Sequence, residues 1–409
     1  MGSELKKTYE HNSLTPPFPY MPSEEWQSRV GRARRLMSEQ GMDALMILNG
    51  ENRLYFFGSR KTYRFVYPSV GIVPLQGPTT LITTAEDRDV LDMQGYAERA
   101  IGYRGDFNAP NPVAPDPIKL VAEVFEDLGL ADKTIGMEFG SFMWWDGMTM
   151  NEWELLKKEM PHAKFVDATD LIWEMRMIKS DWEVDVMRYL YKATAKGFLE
   201  IVHNAAPGKN ELDLFYDAMK VWLDMRIIDS AYYYLQVINA VQPFRDRILK
   251  EGDWMLLDGG PQYKGYNADV QRMIHIGEPG KEGRRMGSWA YKAQLAVQDM
   301  LKPGVAIGDL WHEAFSVVAQ GDPEIWRKAR SRKFPSWIGH GEGLGMHELP
   351  YLVEGSEVVL RKGMVLALEI PSFFERRLAN MPEDAYLITE DGYELLTADF
   401  GPGDIYVKT

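Results

Sequence analysis

Four acids and two histidines in the C-terminal half have the types and spacing to do chemistry. The stretch "GHGEGLGMHELP", residues 339–350, sets His340 and His347 seven positions apart in a glycine-rich run, with Glu342 between them. Before it, "GDWMLLD" ends at Asp258; after it, "GMVLALE" ends at Glu369. Each of these acids stands six residues after a glycine and closes an apolar stretch that reads as a strand. Each has a second acid further on, Asp269 and Glu383, across what reads as a hairpin. Singly, any of the four is equally consistent with a turn residue closing a strand. The arrangement is duplicated, however, and the histidine-bearing loop lies between the copies. Four carboxylates gathered at one water-poor centre need cations to neutralise them. A hard, oxygen-rich cluster with one imidazole suits Mn²⁺, Fe²⁺ or Co²⁺, and Zn²⁺ is also compatible. Two such ions sharing carboxylates would hold a hydroxide and polarise a carbonyl, which is hydrolytic chemistry.

The elements that must position these groups carry the same duplication. "PGKNELDLFYDAM" from Pro207 and "PGVAIGDLWHEAF" from Pro303 share Pro-Gly, then Asp-Leu (Asp213-Leu214 and Asp309-Leu310), then Ala218 against Ala314. Each copy is preceded by a helix pattern and followed by an amphipathic one, which predicts two similar halves delivering their acids to a common centre. Ahead of them, Ser180 and Glu183 stand in capping-box spacing at the start of a long helix, and the domain boundary is placed just before it. The N-terminal part alternates helix and strand to about residue 170. Trp26, Val30, Ala33 and Met37 recur at helical spacing, with Ser23 as expected N-cap and Gly41 as the stop. "DALMILNG" reads as a buried strand, and "VGIVPLQGPTTLIT" as two strands around a Gly-Pro turn.

A chain of 409 residues with 45% hydrophobic and 26% charged residues suggests two globular domains. The net charge of −14, with no block of consecutive lysines or arginines, argues against nucleic-acid and anionic-membrane partners. "GRARRLM" and "RKARSRK" read as solvated helix faces. The absence of cysteine removes disulfides and thiolate metal sites, so any metal takes oxygen or imidazole ligands. No signal-peptide pattern and no run of 18 apolar residues occurs, which gives the expectation of a soluble, cytoplasmic protein. His11, His162, His203, His275 and His312 read as structural.

"LLDGGPQYKGYNADVQR", "GHGEGLGMHELP", "GMVLALE" and "PEDAYLITEDGYELLT" resemble the four signature blocks of the pita-bread metallohydrolases. That family includes aminopeptidase P, prolidase, methionine aminopeptidase and creatinase. "RARRLMSEQGMDALMILNGENRLYFFG" is similar to the creatinase/prolidase N-terminal domain, and "MRMIKSDWEVDVMR" to its junction with the catalytic domain. The resemblance implies an α/β (α+β) class. An extension over 1–22 and a smaller α/β creatinase-like domain over 23–172 would precede the pita-bread catalytic domain over 173–409. That domain would have two pseudo-symmetric halves around a curved antiparallel sheet. The resemblance further implies that Asp258, Asp269, His340, Glu369 and Glu383 ligate two divalent ions per chain, with Asp269 and Glu383 bridging and manganese favoured over cobalt, iron or zinc. His347 would touch substrate and support the tetrahedral intermediate, and Glu369 would also handle the proton of the attacking water. The glycines around His340 would let the backbone come close to the metals. A homodimer is implied, in which the N-terminal domain of the partner would close over the site; "GSRKTYRFVYP", residues 58–68, is the loop expected to matter there, with Tyr63 and Arg64 as candidate substrate contacts.

Four positions depart from the proline-specific pattern. Val241 stands where those members carry a histidine, leaving Asn239, Gln242 or Arg245 as hydrogen-bond donors. Met381 replaces an arginine, Gln271 a threonine, and Glu342 an apolar residue. Glu342 and the aromatic run "AYYYLQ" could meet a cationic group by charge and cation–π contact; their plain alternatives are a solvated loop acid and a buried strand. The leading expectation is a dinuclear hydrolase of an amide-type C–N bond, taking an Xaa-Pro peptide or a small amide metabolite. The alternative is a branch acting on a small cationic or zwitterionic metabolite, as in ectoine hydrolase, creatinase or dimethylsulfoniopropionate lyase. A non-enzymatic docking module is the third.

Overall fold

The structure is a computed structural model, and it describes residues 21–58, 69–85, 88, 96–103, 117–139, 147–227, 233–237, 246–321, 327, 337–374, 377–401 and 405–408. The chain divides into two compact units, Met1–Arg176 and Met177–Thr409.

In the first unit, helix α1 (Ser23–Gln40) buries Val30, Ala33, Leu36 and Met37 along one face and ends on Gly41 in the left-handed region at φ 69°. Its start differs from the expectation. The cap is Pro22, extended at φ −64°, ψ 153° with no side-chain hydrogen bond, and Ser23 is already helical. The proline ring fixes that extended entry, and Glu24 and Glu25 in the first turn face the positive helix end in place of a cap. After α1 come β1 (Ala44–Ile47), α2 (Gly50–Phe57), β2 (Val70–Pro74), β3 (Thr80–Thr84), β4 (Arg99–Tyr103), α3 (Pro117–Asp127), β5 (Thr134–Met137), α4 (Met150–Glu159), β6 (Lys164–Asp167) and α5 (Thr169–Met177). The six strands form one mixed sheet in the order β4-β3-β2-β1-β5-β6. The two strands expected around the Gly-Pro turn are β2 and β3, paired antiparallel. Met46, Ile72, Val121, Phe125 and Ile135 fill the core between this sheet and its helices.

The second unit opens with α6 (Asp181–Asn204), and its capping box forms as the spacing requires. Glu183 N–H donates to Ser180 Oγ at 3.2 Å, and Ser180 N–H to Glu183 Oε2 at 3.0 Å. Helix α7 (Glu211–Asp224) follows, then β7 (Tyr233–Val237), β8 (Trp254–Gly259), β9 (Gln262–Tyr263), β10 (Tyr266–Asn267) and β11 (Val270–Ile276). The second copy of the pattern gives α8 (Gly280–Gln298), α9 (Ile307–Gly321), β12 (Gly339–Gly341), β13 (Val365–Phe374) and β14 (Arg377–Ile388), with β15 (Tyr393–Leu395) and β16 (Tyr406–Lys408) at the end. The sheet runs β12-β13-β14-β11-β8-β7. Read outward from the central β14–β11 pair, β13 answers β8 and β12 answers β7, so the repeat in sequence is a repeat in the sheet.

Alternation along β13 and β14 decides which side chains meet. Leu366, Leu368, Ile370, Tyr386 and Ile388 pack with Val297, Trp311 and Phe315 of the second helix pair. Burying an apolar side chain of that size contributes ~1.5–3 kcal/mol. With a period of two, Glu369 and Glu383 fall on the opposite face of the sheet.

Candidate metal centre

Asp258 lies near the end of β8, and the chain then reverses through β9 and β10. Lys264 and Gly265 both take positive φ, 50° and 85°, between the paired Tyr263 and Tyr266, which gives a two-residue hairpin loop of the primed type. Two anchors fix this hairpin. Tyr266 donates its hydroxyl to Glu183 Oε1 at 2.7 Å, tying it to the helix cap. Asn267 N–H donates to Gly343 O at 2.8 Å, tying it to the histidine loop. Asp269 follows immediately, and β11 then pairs Gln271 with Asp258 on one side and with Glu383 on the other. Glu369 and Glu383 are cross-strand partners in β13 and β14.

His340 sits in β12 between two glycines. An added Cβ on Gly339, whose φ is 150°, would lie 2.0 Å from Ala367 O, and one on Gly341 would lie 2.4 Å from Leu349 O. The close approach that these glycines permit is to neighbouring backbone, which seats His340 against β13.

The six residues converge. His340 Nε2 lies 3.5 Å from Glu383 Oε1 and 3.6 Å from Glu369 Oε1, and His347 Nε2 lies 3.3 Å from Asp269 Oδ2. Three overlapping sets have ligand atoms within 4.8 Å of one another: His340, Glu369 and Glu383; Asp258, Asp269 and Glu383; and Asp269, His340 and His347. Asp269, His340, Glu369 and Glu383 are buried, while Asp258 and His347 are partly exposed. Burial, followed by the charges of Asp269 and Glu369, pushes Asp258 well above the usual carboxylate range; burial and the same acids, with Asp258, do the same to Glu383. Burial and the neighbouring His347 lower His340 to about 4, so its imidazole is neutral and able to ligate. Asp269 Oδ1, His340 Nε2 and Glu383 Oε1 are buried with no hydrogen-bond partner among the described residues. Buried polar atoms are ordinarily satisfied. Lone pairs left over on an acid-rich, imidazole-bearing set fit divalent cations.

The solvated-acid alternative for Glu342 does not hold. It is fully buried, and its Oε2 accepts the Tyr191 hydroxyl from α6. Desolvation pushes it well above the usual range, with Lys179 and the Asp269 backbone N–H working against that shift. Gln271 is buried and its side chain hydrogen-bonds Asp258, which favours the ionised carboxylate. His275 is buried, with Nδ1 against Gly277 O and its ring edge-on to Trp254, in keeping with a structural role. Tyr233 and Tyr234 of the "YYY" run stand in β7, with Tyr234 paired to Asp258, and Tyr232 lies outside the described residues. Tyr63, Arg64, Asn239, Val241, Gln242 and Arg245 lie outside the described residues, as does the side chain of Met381.

Several groups around the centre were not singled out by sequence reasoning. Tyr191 is one, and Lys179 with Glu348 is another. Arg272 donates from Nη1 to Glu383 O at 2.7 Å and pairs through Nη2 with Asp384, whose other oxygen takes Gln294 Nε2 at 2.7 Å. Trp337 stacks on Tyr351 with centroids 5.1 Å apart and meets His347 edge-on at 5.4 Å.

Comparison with known proteins agrees with this geometry. Residues 185–390 match the model of metallopeptidase family M24, and residues 29–178 match that of the creatinase/prolidase N-terminal domain. A protein of Mycobacterium tuberculosis named a probable dipeptidase, PepE, is 30% identical over 381 residues, spanning 90% of this chain and 94% of that protein. An Xaa-Pro dipeptidase of Pyrococcus horikoshii is 28% identical over 256 residues, 60% of this chain and 69% of that protein. The crystal structure of dipeptidase PepE from Mycobacterium ulcerans superposes with a TM-score of 0.75 at 24% identity, covering 95% of this chain and 99% of that one, which speaks to the fold. The duplicated sheet, the paired acids and the two matched families meet in one conclusion: the chain belongs to metallopeptidase family M24, a metal-dependent hydrolase of the pita-bread fold with a creatinase-like N-terminal domain.

Proposed function

We propose that the chain is a dinuclear hydrolase of an amide-type C–N bond, acting on an Xaa-Pro peptide or a small amide metabolite. The observation that carries the reading is the set of buried, partnerless ligand atoms on Asp269, His340 and Glu383. Peptide turnover is supported by the relatives named dipeptidase and Xaa-Pro dipeptidase. Asp258, Asp269, His340, Glu369 and Glu383 would hold two divalent ions, manganese preferred. When bound, such ions supply Lewis acidity that acidifies water and polarises a carbonyl.

The chain's own residues do the rest. Glu369 takes the proton from the attacking water and returns it to the leaving nitrogen. His347, partly exposed beside Asp269, donates a hydrogen bond to the oxyanion. Gln271 hydrogen-bonds Asp258 and works against the upward shift that burial and the neighbouring acids impose on it. Of the proposed substrate contacts Glu342, Arg245, Tyr63 and Arg64, Glu342 is the one among the described residues. Its burial against the Tyr191 hydroxyl makes it a group packed beside the centre rather than a solvent-facing contact. The reading includes a homodimer in the cytoplasm; no helix of the described residues is long and apolar enough to cross a membrane.

The second reading, a small cationic or zwitterionic substrate, is favoured by the stacked Trp337 and Tyr351 beside His347, since a flat aromatic wall next to carboxylates suits a cation. One assay separates the two. Manganese-loaded protein is offered Xaa-Pro dipeptides and betaine-like zwitterions beside a Glu369→Gln control. Dipeptide turnover above the control supports the first reading, and turnover of zwitterions alone supports the second. Turnover of neither removes the Xaa-Pro form of the first reading and the whole of the second.

A further inference from the structure

Lys179 stands next to the cap residue Ser180, whose box with Glu183 fixes where the chain enters α6. Its backbone N–H donates to Gly363 O at 2.8 Å, in the turn that leads into β13. Gly363 takes φ 88°, and a Cβ added there would lie 3.0 Å from Lys179 O, so the two segments are in close contact. From this fixed root the side chain runs inward. Lys179 Nζ lies 3.5 Å from Glu348 Oε2, and each side chain is 1% exposed.

Glu348 in turn closes the histidine loop. Its backbone exchanges two hydrogen bonds with Gly341, at 3.0 and 2.8 Å, and its Oε1 accepts the Gly345 N–H at 2.7 Å. The carboxylate fills the inside of the loop. A Cβ on Gly343 would lie 2.7 Å from Glu348 Oε2, and one on Gly345 would lie 3.2 Å from Glu348 Cγ. One buried ion pair therefore braces a loop that starts beside His340 and ends at His347. Removing one partner of such a pair leaves a charge where water cannot reach it, whereas neutralising both does not. The carboxylate ligands sit on the sheet or beside β11, outside this loop.

We infer that Lys179 is a positioning residue for His347. Its ammonium holds the Glu348 carboxylate inside loop 342–347, and the adjacent imidazole is thereby kept beside Asp269. The kinetic part rests on the hydrolase reading above; the order of the loop does not.

The test compares Lys179→Met, Lys179→Met/Glu348→Gln, His347→Ala and Lys179→Met/His347→Ala in the manganese-loaded full chain. Amide exchange over residues 343–348 is expected to rise about tenfold or more in Lys179→Met and to return towards wild type in Lys179→Met/Glu348→Gln. Metal content stays at the wild-type stoichiometry. On the substrate that the wild type turns over, Lys179→Met lowers kcat about tenfold or more with KM changed less than about threefold. The same substitution made in His347→Ala changes kcat less than about twofold, because the two act through one group. Unchanged exchange in Lys179→Met overturns the inference, as does a double variant that exchanges as fast as the single one, or kinetic losses that simply add. If Lys179→Met does not fold, the neutral pair decides: a folded, protected loop supports the inference, and an unfolded chain overturns it. If the wild type turns over nothing, the hydrolase reading fails while the exchange result still stands or falls alone.

Discussion

Glu369 on β13 and Glu383 on β14 are direct cross-strand partners, two buried acids facing one another across an antiparallel ladder. Like charges in that position repel. Glu383 is pushed well above the usual carboxylate range by burial first and by the acids around it second. The sheet thus carries a built-in repulsion that divalent cations held by this pair would relieve.

Metal removal should therefore cost stability in a way that tracks this pair. Ligand present at a hundred times its Kd, and bound only by the folded state, adds ~2.7 kcal/mol. Chelation is expected to lower the melting temperature of the wild type. Glu383→Gln removes one of the opposed charges, so its metal-free form should melt at or above metal-free wild type, with a smaller gain on adding manganese. Scanning calorimetry with and without chelator measures both. A metal-free Glu383→Gln that melts well below metal-free wild type would contradict the repulsion.

The pH dependence of metal affinity follows from the same groups. Ligation needs ionised carboxylates and a neutral imidazole. His340, lowered to about 4, stays neutral as pH falls from neutrality. Asp258 and Glu383 are shifted the other way, so they take up protons while ordinary carboxylates are still ionised. Manganese affinity should thus decline on acidification before the ordinary carboxylate range is reached. Calorimetric titrations across this interval are expected to show a shallower decline in Glu383→Gln. His340→Gln should bind more weakly at every pH with the slope unchanged.

Arg272 and Asp384 form a buried pair directly behind Glu383. Arg272 also donates to Glu383 O, so it sets the position of that strand as well as neutralising Asp384. Breaking a buried pair from one side typically costs ~3–5 kcal/mol, and loosening groups that orient a metal ligand costs about 10–100-fold in affinity. Asp384→Ala is expected to show both losses by denaturant titration and metal binding. Normal metal affinity in a destabilised variant would confine the pair to folding.

Much of this centre was legible in the sequence because its parts follow local rules. The acids close apolar strands at a repeated distance from a glycine, and the Ser180–Glu183 box announces the helix that the Tyr266 hairpin leans on. What was not legible depends on contacts far apart in the chain. Glu342 reads as a loop acid until Tyr191, 151 residues earlier, is found against it. Lys179 and Glu348 are 169 residues apart, and neither has a local pattern that marks it as buried. The start of α1 was misplaced by one residue because a serine looks like a cap whether or not the proline before it already serves as one.

Tyr191 and Glu342 give the most direct test of that long-range layer. The hydroxyl donates to a fully buried carboxylate, and the Asp269 backbone N–H also favours the ionised form of that group. Removing one partner of a buried hydrogen bond leaves the other unsatisfied, at a cost of ~1–3 kcal/mol. Tyr191→Phe is expected to lose about that much in urea unfolding. Glu342→Gln alone should lose less, because the amide oxygen can still accept the Tyr191 hydroxyl. Adding Tyr191→Phe to Glu342→Gln should then cost less than it does in the wild type. Since Asp269 is held from the same carboxylate, Tyr191→Phe should also weaken manganese binding. Additive losses with unchanged metal affinity would mean that the two side chains touch without cooperating, and that Asp269 keeps its place without them.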